Sequence, residues 1–355
     1  MTTLPPIDTR TARAPHMESL PPQVQAAWFG DGCPAALGDA AAARYAAAVG
    51  TRLGSSPGST GRRLMDELRP RGMAPRESVA DWPAVAVKGN AVTDLSWLRE
   101  PATTPAGAYI HAYDKNGQYL AACSSLELGM GGLTHEVAPT FDKRVPGYWR
   151  FDDAWYLTPE AAYLRESDAL DQPSEAYVWT RHGRALVKWY ECLRDARTVL
   201  MADESEAGAL AYITLKQTYR VAIGWLTGYW FNPEDDRYRP ETGGYASPAY
   251  RPDWRHTIIS QARATMRRTL DKIVAADVAV VAVHIDQIYI VSDEPDARAA
   301  CPAGLTLGDG LGQWKVRYSG VPLDVCRPLL RAGGRPLALD DACEEWEEGA
   351  HHANG

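Results

Sequence analysis

An apolar run from Val278 to Val283 is followed, after His284-Ile285-Asp286-Gln287, by a second β-rich run from Ile288 to Val291. Two short runs of β-branched residues with a brief polar interruption read as a hairpin. One carboxylate, Asp286, stands at its tip. The tip lacks the Asn-Gly or Asp-Gly pair that tight hairpins prefer. Apolar Ile285 and Ile288 flank the acid instead, so the tip is expected to pack and to hold the carboxylate in place.

A second isolated acid lies far upstream. Ala108-Tyr109-Ile110-His111-Ala112-Tyr113 alternates enough for a strand that ends at Asp114. Asn116-Gly117 follows, and a glycine there lets backbone amides approach a ligand closely. Between the two acids lies Lys216-Gln217-Thr218-Tyr219-Arg220. On a helix, Lys216 and Arg220 leave the same face. Two stacked cations repel, so the pair asks for an anionic partner. A triphosphate suits it, because arginine gives bidentate and lysine point-charge contacts. An acid, a cationic helix and an acid on a hairpin are the parts that two-metal nucleotidyl transfer needs. Mg²⁺ or Mn²⁺ takes oxygen ligands, and a metal pair clamps the attacking and leaving oxygens. Each part also has a plainer reading. Asp114 is then a turn acid, Asp286 a hairpin acid, the cations a solvated ridge, and Tyr119, five residues after Asp114, core packing.

In order, these windows resemble the signature motifs of family B DNA polymerases. The first resembles D-x-x-S-L-Y-P: Asp114 falls on the metal-binding acid, Gly117 on the Ser and Tyr119 on the Tyr, with Leu120 in place of the Pro. The second resembles K-x-x-x-N-S-x-Y-G, with Lys216 on the Lys, Arg220 at the Asn, Ile223 at the Tyr and Gly224 on the Gly. The third resembles D-T-D-S-I-Y-V, where Asp286 falls on the second Asp, His284 replaces the first and Gln287 the Ser. Tyr250-Arg251-Pro252-Asp253-Trp254 and Ile258-Ile259-Ser260-Gln261-Ala262-Arg263 resemble the approach to the last palm helix in protein-primed phage and plasmid polymerases. Leu311-Gly312-Gln313-Trp314-Lys315 resembles their L-G-x-W stretch. The resemblance runs from 106 to 318.

It implies an α+β fold: a polymerase-like palm, an antiparallel sheet with packed helices, carrying a helical fingers insertion. The expected division is an N-terminal segment at 1–105, palm at 106–158, fingers at 159–230, palm again at 231–325 and an acidic tail at 326–355. It implies Mg²⁺ or Mn²⁺ at Asp114 and Asp286, and nucleotide contacts from Lys216 and Arg220. Arg194 and Arg197 resemble finger-helix cations that reach phosphate. Tyr119 matches a residue that packs under the incoming sugar and excludes a 2′-hydroxyl. Implied partners are primer-template DNA and deoxynucleoside triphosphates, with a terminal or replication-initiation protein. The setting is replication of a phage, plasmid or linear mobile element. The exonuclease domain that precedes these motifs in the family is not recognised in 1–105, and little thumb follows. A degenerate, non-catalytic DNA-end or terminal-protein binder is the second reading. A reverse transcriptase ranks last, because Gln287 stands where its second hairpin acid belongs.

Composition narrows the setting. A hydrophobic share of 45% with 23% charged residues fits an ordinary globular chain. No apolar run approaches membrane length, and Met1 to Arg13 has no signal core, so the cytoplasm is expected. The six cysteines form no C-x-x-C pair, which fits reduced thiols and argues against structural zinc. A net charge of −8 opposes whole-surface nucleic-acid binding. Six of the acids lie between Asp340 and Glu348, in a tail read as solvated; without them the balance falls to −2. A local basic groove from Arg251, Arg255, Arg263, Arg267 and Arg268 is then open to the chain. Arginine supplies 30 of 37 basic residues, which with abundant alanine points to a GC-rich bacterial genome.

Elsewhere the expectations are local. Residues 1–20 read as disordered. Ala35 to Val49 reads as a helix, and Gly54-Ser55-Ser56-Pro57-Gly58-Ser59 as a linker or mobile loop. Gly129-Met130-Gly131-Gly132 reads as a flexible loop. Thr158-Pro159-Glu160 predicts a helix start with Thr158 as its cap. Apolar spacing predicts helices through Leu186–Leu200 and Ile258–Ile273. Asn232 to Asp253, with four prolines, reads as an irregular connection.

Overall fold

The computed structural model describes residues 22–70, 95–99, 106–226, 251–332 and 335–353. In chain order its elements are α1 (Pro22–Phe29), α2 (Ala35–Val49), α3 (Pro57–Leu68), β1 (Ser96–Leu98), β2 (Tyr109–Lys115), α4 (Gln118–Ala122), β3 (Leu128–Val137), β4 (Gly147–Phe151), β5 (Ala154–Leu157), α5 (Thr158–Glu166), β6 (Glu175–Gly183), α6 (Val187–Met201), α7 (Glu206–Trp225), α8 (Pro252–Ala275), β7 (Ala279–His284), β8 (Gln287–Ser292), β9 (Trp314–Pro322), α9 (Leu323–Ala332) and α10 (Pro336–Ala353). They form two compact units. One takes Met1–Gly89, Cys123–Thr134 and Val178–Arg255; the other takes Asn90–Ala122, His135–Tyr177 and His256–Gly355. The expected disorder at 1–20 and most of the connection at 232–253 lie outside the described residues.

The second unit holds a five-stranded antiparallel sheet in the order β1-β7-β8-β2-β9. Strand side chains alternate between faces, and the sequence supplies apolar residues to both. Ile110 and Ala112 of β2, with Tyr289 and Val291 of β8, pack on Cys326, Leu330, Leu339 and Cys343 of α9 and α10. Tyr113, Ile288 and Ile290 turn the other way and pack with Met266 and Ile273 of α8. Each fully buried leucine, isoleucine or methionine among them contributes about 1.5–3 kcal/mol.

The acidic C-terminal stretch is therefore not the solvated tail that its charge suggested. Leu339, Cys343 and Trp346 recur at helical spacing and line the core side of α10. Asp341, Glu344, Glu345 and Glu348 occupy its exposed side. Most of the acids form the solvent face of an amphipathic helix, while Asp340 accepts from the Tyr289 hydroxyl at 3.0 Å.

The second sheet has the order β3-β6-β4-β5. Helix α5 starts where Thr158-Pro159 predicts, but Thr158 is not its cap. The Thr158 hydroxyl donates to the Val145 carbonyl at 2.8 Å and accepts from Trp149 Nε1 at 2.9 Å. Tertiary partners have taken the group that a free N-terminus would use.

The first unit is mainly helical. Ser56 caps α3 through a reciprocal box with Ser59, with Pro57 at the first turn. The stretch read as a linker is thus a helix start, because serine and proline serve both turns and N-termini. A Cβ on Gly58 or Gly61 would stand 2.4 Å from Val221 Cγ1 or 2.7 Å from the Thr218 carbonyl, so these glycines admit α7 at close range. Tyr45 of α2 hydrogen-bonds Thr218 of α7 at 3.0 Å. Gly129 lies in β3, not in a loop, since a Cβ there would stand 2.1 Å from Trp179 Cδ2. Its glycine serves packing against an indole.

Candidate functional site

Asp114 and Asp286 meet at one end of the five-stranded sheet. Asp114 ends the Ile110-Ala112 row of β2 and lies opposite Gln287 of β8 and Lys315 of β9. Asp286 sits one residue before Gln287, and its carbonyl accepts the Lys115 amide at 2.8 Å. The strand pairing that buries the apolar rows also brings these distant acids together.

His284 and Gln287 are cross-strand partners, so Ile285 and Asp286 alone form the turn. Ile285 has φ +57°. The twist of a two-residue hairpin asks for positive φ at the first turn position, usually met by glycine or asparagine. A β-branched residue held there costs about 1–3 kcal/mol and persists only where its surroundings over-determine it. Ile285 N–H donates to the Leu95 carbonyl at 2.8 Å, and Gln118 Nε2 donates to the Ile285 carbonyl at 3.2 Å. His284 has a buried Nδ1 without a hydrogen-bond partner among the described residues.

The loop after Asp114 turns at Gly117, with φ +54°, and enters α4. Tyr119 lies in α4 and is half-buried. Lys115, one residue from Asp114, is 6% exposed, and its ammonium stands 5.5 Å from the Trp314 ring centre. Burial pushes its pKa down to about 8. Asp114 Oδ1 is 3.4 Å from Lys315 Nζ. Two carboxylates suit Mg²⁺ or Mn²⁺, which bind through one or two acids together with water and substrate phosphates. Among the described residues no group of three or more His, Cys, Asp or Glu side chains is placed to hold a metal.

The cations expected to meet phosphate lie in the first unit. Lys216 of α7 and Arg197 of α6 both stand near the ring of Tyr212, at 5.7 Å and 5.1 Å from its centre. Arg197 is 5% exposed, whereas Arg220 is exposed. Arg194 is drawn off to its neighbour Asp195 at 2.8 Å, which raises its pKa.

The basic groove expected from five arginines does not survive as drawn. Arg251 forms a buried ion pair with Asp253 at 2.6 Å, and Arg263 and Arg267 share the buried Glu160 at 2.9 Å and 3.3 Å. Arg268 pairs with Glu166 at 2.8 Å. Glu160 and Glu166 are remote in sequence from the arginines they pair with, so charge along the chain read as a groove.

Three residues escaped the sequence reading. Tyr212 was within reach, since it precedes Lys216 by four on one helix. Lys315 follows the tryptophan of a quoted motif, but its pairing with Asp114 depends on strand register. Gln118 carried a weaker signal, a polar residue in an otherwise apolar turn.

No protein-family model matches the chain, and no curated protein matches it. Among solved structures it is similar to Phi29 DNA polymerase complexed with single-stranded DNA, at 15% identity over 79% of this chain and 54% of that one, with a TM-score of 0.50. It is also similar to Phi29 DNA polymerase complexed with primer-template DNA and incoming nucleotide substrates, at 13% identity over 75% and 53%, with a TM-score of 0.48. The chain thus spans about half the length of the polymerase chains it matches. At such identity the likeness concerns fold alone, and over that shared length this chain has an α+β, polymerase-like fold.

Proposed function

We propose that the chain is a DNA-directed nucleotidyltransferase of the family B type, acting in the replication of a phage, plasmid or linear mobile element. The observation that carries this reading is the adjacency of Asp114 and Asp286 on the five-stranded sheet. The polymerase-like fold supports it. In this reading 106–158 and 231–325 form the palm and 159–230 the fingers. Asp114 and Asp286 hold Mg²⁺ or Mn²⁺, which when bound neutralises charge on the oxygens of an in-line displacement. Lys216, Arg220, Arg197 and Arg194 bind the nucleotide's phosphates, with Gly117 admitting backbone amides. Tyr119 packs against the incoming sugar. The partners are primer-template DNA and deoxynucleoside triphosphates, with a terminal or replication-initiation protein supplying the primer. The setting is a bacterial cytoplasm; among the described residues no helix is long and apolar enough to cross a membrane.

Asp114→Ala and Asp286→Ala should each abolish Mg²⁺-dependent primer extension while leaving the circular dichroism spectrum unchanged. Near wild-type extension by either variant overturns the reading. Lys216→Ala should weaken nucleotide binding more than DNA binding; equal losses would move α7 to a DNA-contacting role.

One observation favours a second reading, a non-catalytic polymerase-like protein that binds DNA ends or a terminal protein. Lys315 pairs with Asp114, and His284 stands where the motif carries another acid. DNA-end binding by wild type that never extends a primer, with Mg²⁺ or Mn²⁺, would select this alternative.

A further inference from the structure

The turn that carries Asp286 is tied down by groups outside its own hairpin. Ile285 N–H reaches the Leu95 carbonyl, the Asp286 carbonyl takes the Lys115 amide, and the Ile285 carbonyl takes Gln118 Nε2. The first two are backbone bonds that most residues at those positions would supply. The third is a side chain, so residue 118 alone decides it.

Gln118 is an expensive occupant of its place. It is 6% exposed, and its Oε1 is buried without a hydrogen-bond partner among the described residues. A buried acceptor left unmet costs about 1–3 kcal/mol. An apolar side chain of similar length would remove that unmet acceptor at the loss of the bond to the Ile285 carbonyl. What only the amide supplies is a donor to the Ile285 carbonyl. That carbonyl belongs to the residue held at φ +57°, next to the candidate metal ligand.

We propose that Gln118 is a positioning residue for Asp286: its amide clamps the Ile285 carbonyl, keeps the two-residue turn in its left-handed conformation and so fixes the direction of the Asp286 carboxylate. This deepens the metal-binding reading of Asp286 and rests on that reading for its functional consequence. The clamp itself is mechanical and has its own readout. Methionine matches glutamine closely in length and cannot donate, so Gln118→Met removes the clamp and the unmet acceptor together. Gln118 then differs from a structural polar residue in a checkable way: losing it loosens the turn while global stability, with one unmet acceptor removed and one hydrogen bond lost, changes little.

The test compares wild type, Gln118→Met and Gln118→Glu by hydrogen exchange across 284–288, thermal melting and Mn²⁺ titration followed by electron paramagnetic resonance. Glutamate keeps the size and polarity of glutamine but, when ionised, only accepts; it serves if the methionine variant does not fold. Both variants should speed amide exchange at the turn several-fold. Gln118→Met should melt close to wild type and bind Mn²⁺ about fivefold more weakly. Unchanged exchange at the turn overturns the proposal, as does faster exchange with unaltered Mn²⁺ affinity. If wild type binds no Mn²⁺ while the variants still exchange faster, the clamp stands and the metal reading of Asp286 fails.

Discussion

Lys315 Nζ stands 3.4 Å from Asp114 Oδ1 because β9 and β2 set these two residues opposite one another. The lysine is 42% exposed, so water screens the pair. Such pairs are worth about 1 kcal/mol or less, roughly fivefold in a binding constant. In the proposed reading, a metal ion at Asp114 would compete with this ammonium. Lys315→Met should therefore tighten Mn²⁺ binding by up to about fivefold in a paramagnetic resonance titration. Weaker binding in the variant would recast the lysine as a helper of the metal.

Lys115 makes stability depend on pH. Its folded pKa is about 8, lowered by burial, while the unfolded side chain titrates near 10.4. Between these values the unfolded chain binds more protons, so stability rises with pH. The penalty is fully present below pH 8, amounts to about 3 kcal/mol, and fades by about pH 10.4. Urea unfolding of Lys115→Met should show a gain over wild type at pH 7 that shrinks toward pH 10. A gain constant with pH would assign the effect to packing instead of charge.

Gly129 has no room for a side chain. Its carbonyl accepts from Arg251 at 2.6 Å and from Trp254 at 2.9 Å, so the backbone cannot retreat from Trp179 without loosening both bonds. Gly129→Ala should cost about 1–3 kcal/mol. A lowered melting temperature checks it, and an unchanged one would mean that the indole moves aside freely.

Tyr119 follows Asp114 on the half-buried side of α4. If it packs against the incoming sugar, Tyr119→Val relieves a clash with the 2′-hydroxyl. Discrimination of this kind works through built-in repulsion. Ribonucleotide incorporation relative to deoxynucleotide should rise by about tenfold, worth about 1.4 kcal/mol. Single-nucleotide primer extension measures the ratio. No change in an active variant would make Tyr119 core packing and weaken the assignment of the Asp114 window.

Periodicity and turn chemistry carry local information, and they determined a good deal on their own. The β7–β8 hairpin, the strand ending at Asp114 and helices α6 and α8 were legible from apolar spacing, and α2 from its run of alanines. So was the candidate acid pair, through a motif order that needs no coordinates. Tertiary structure decided whatever depends on a partner remote in sequence. Register set Lys315 against Asp114, and packing against Trp179 turned a glycine-rich loop into strand β3. Glu160 neutralised two arginines that had looked like a nucleic-acid groove, and an apolar stripe drew the acidic tail into α10 on the sheet. Burial and ion pairing are relations between surfaces that only the fold brings together, so charge and spacing along the chain do not foretell them.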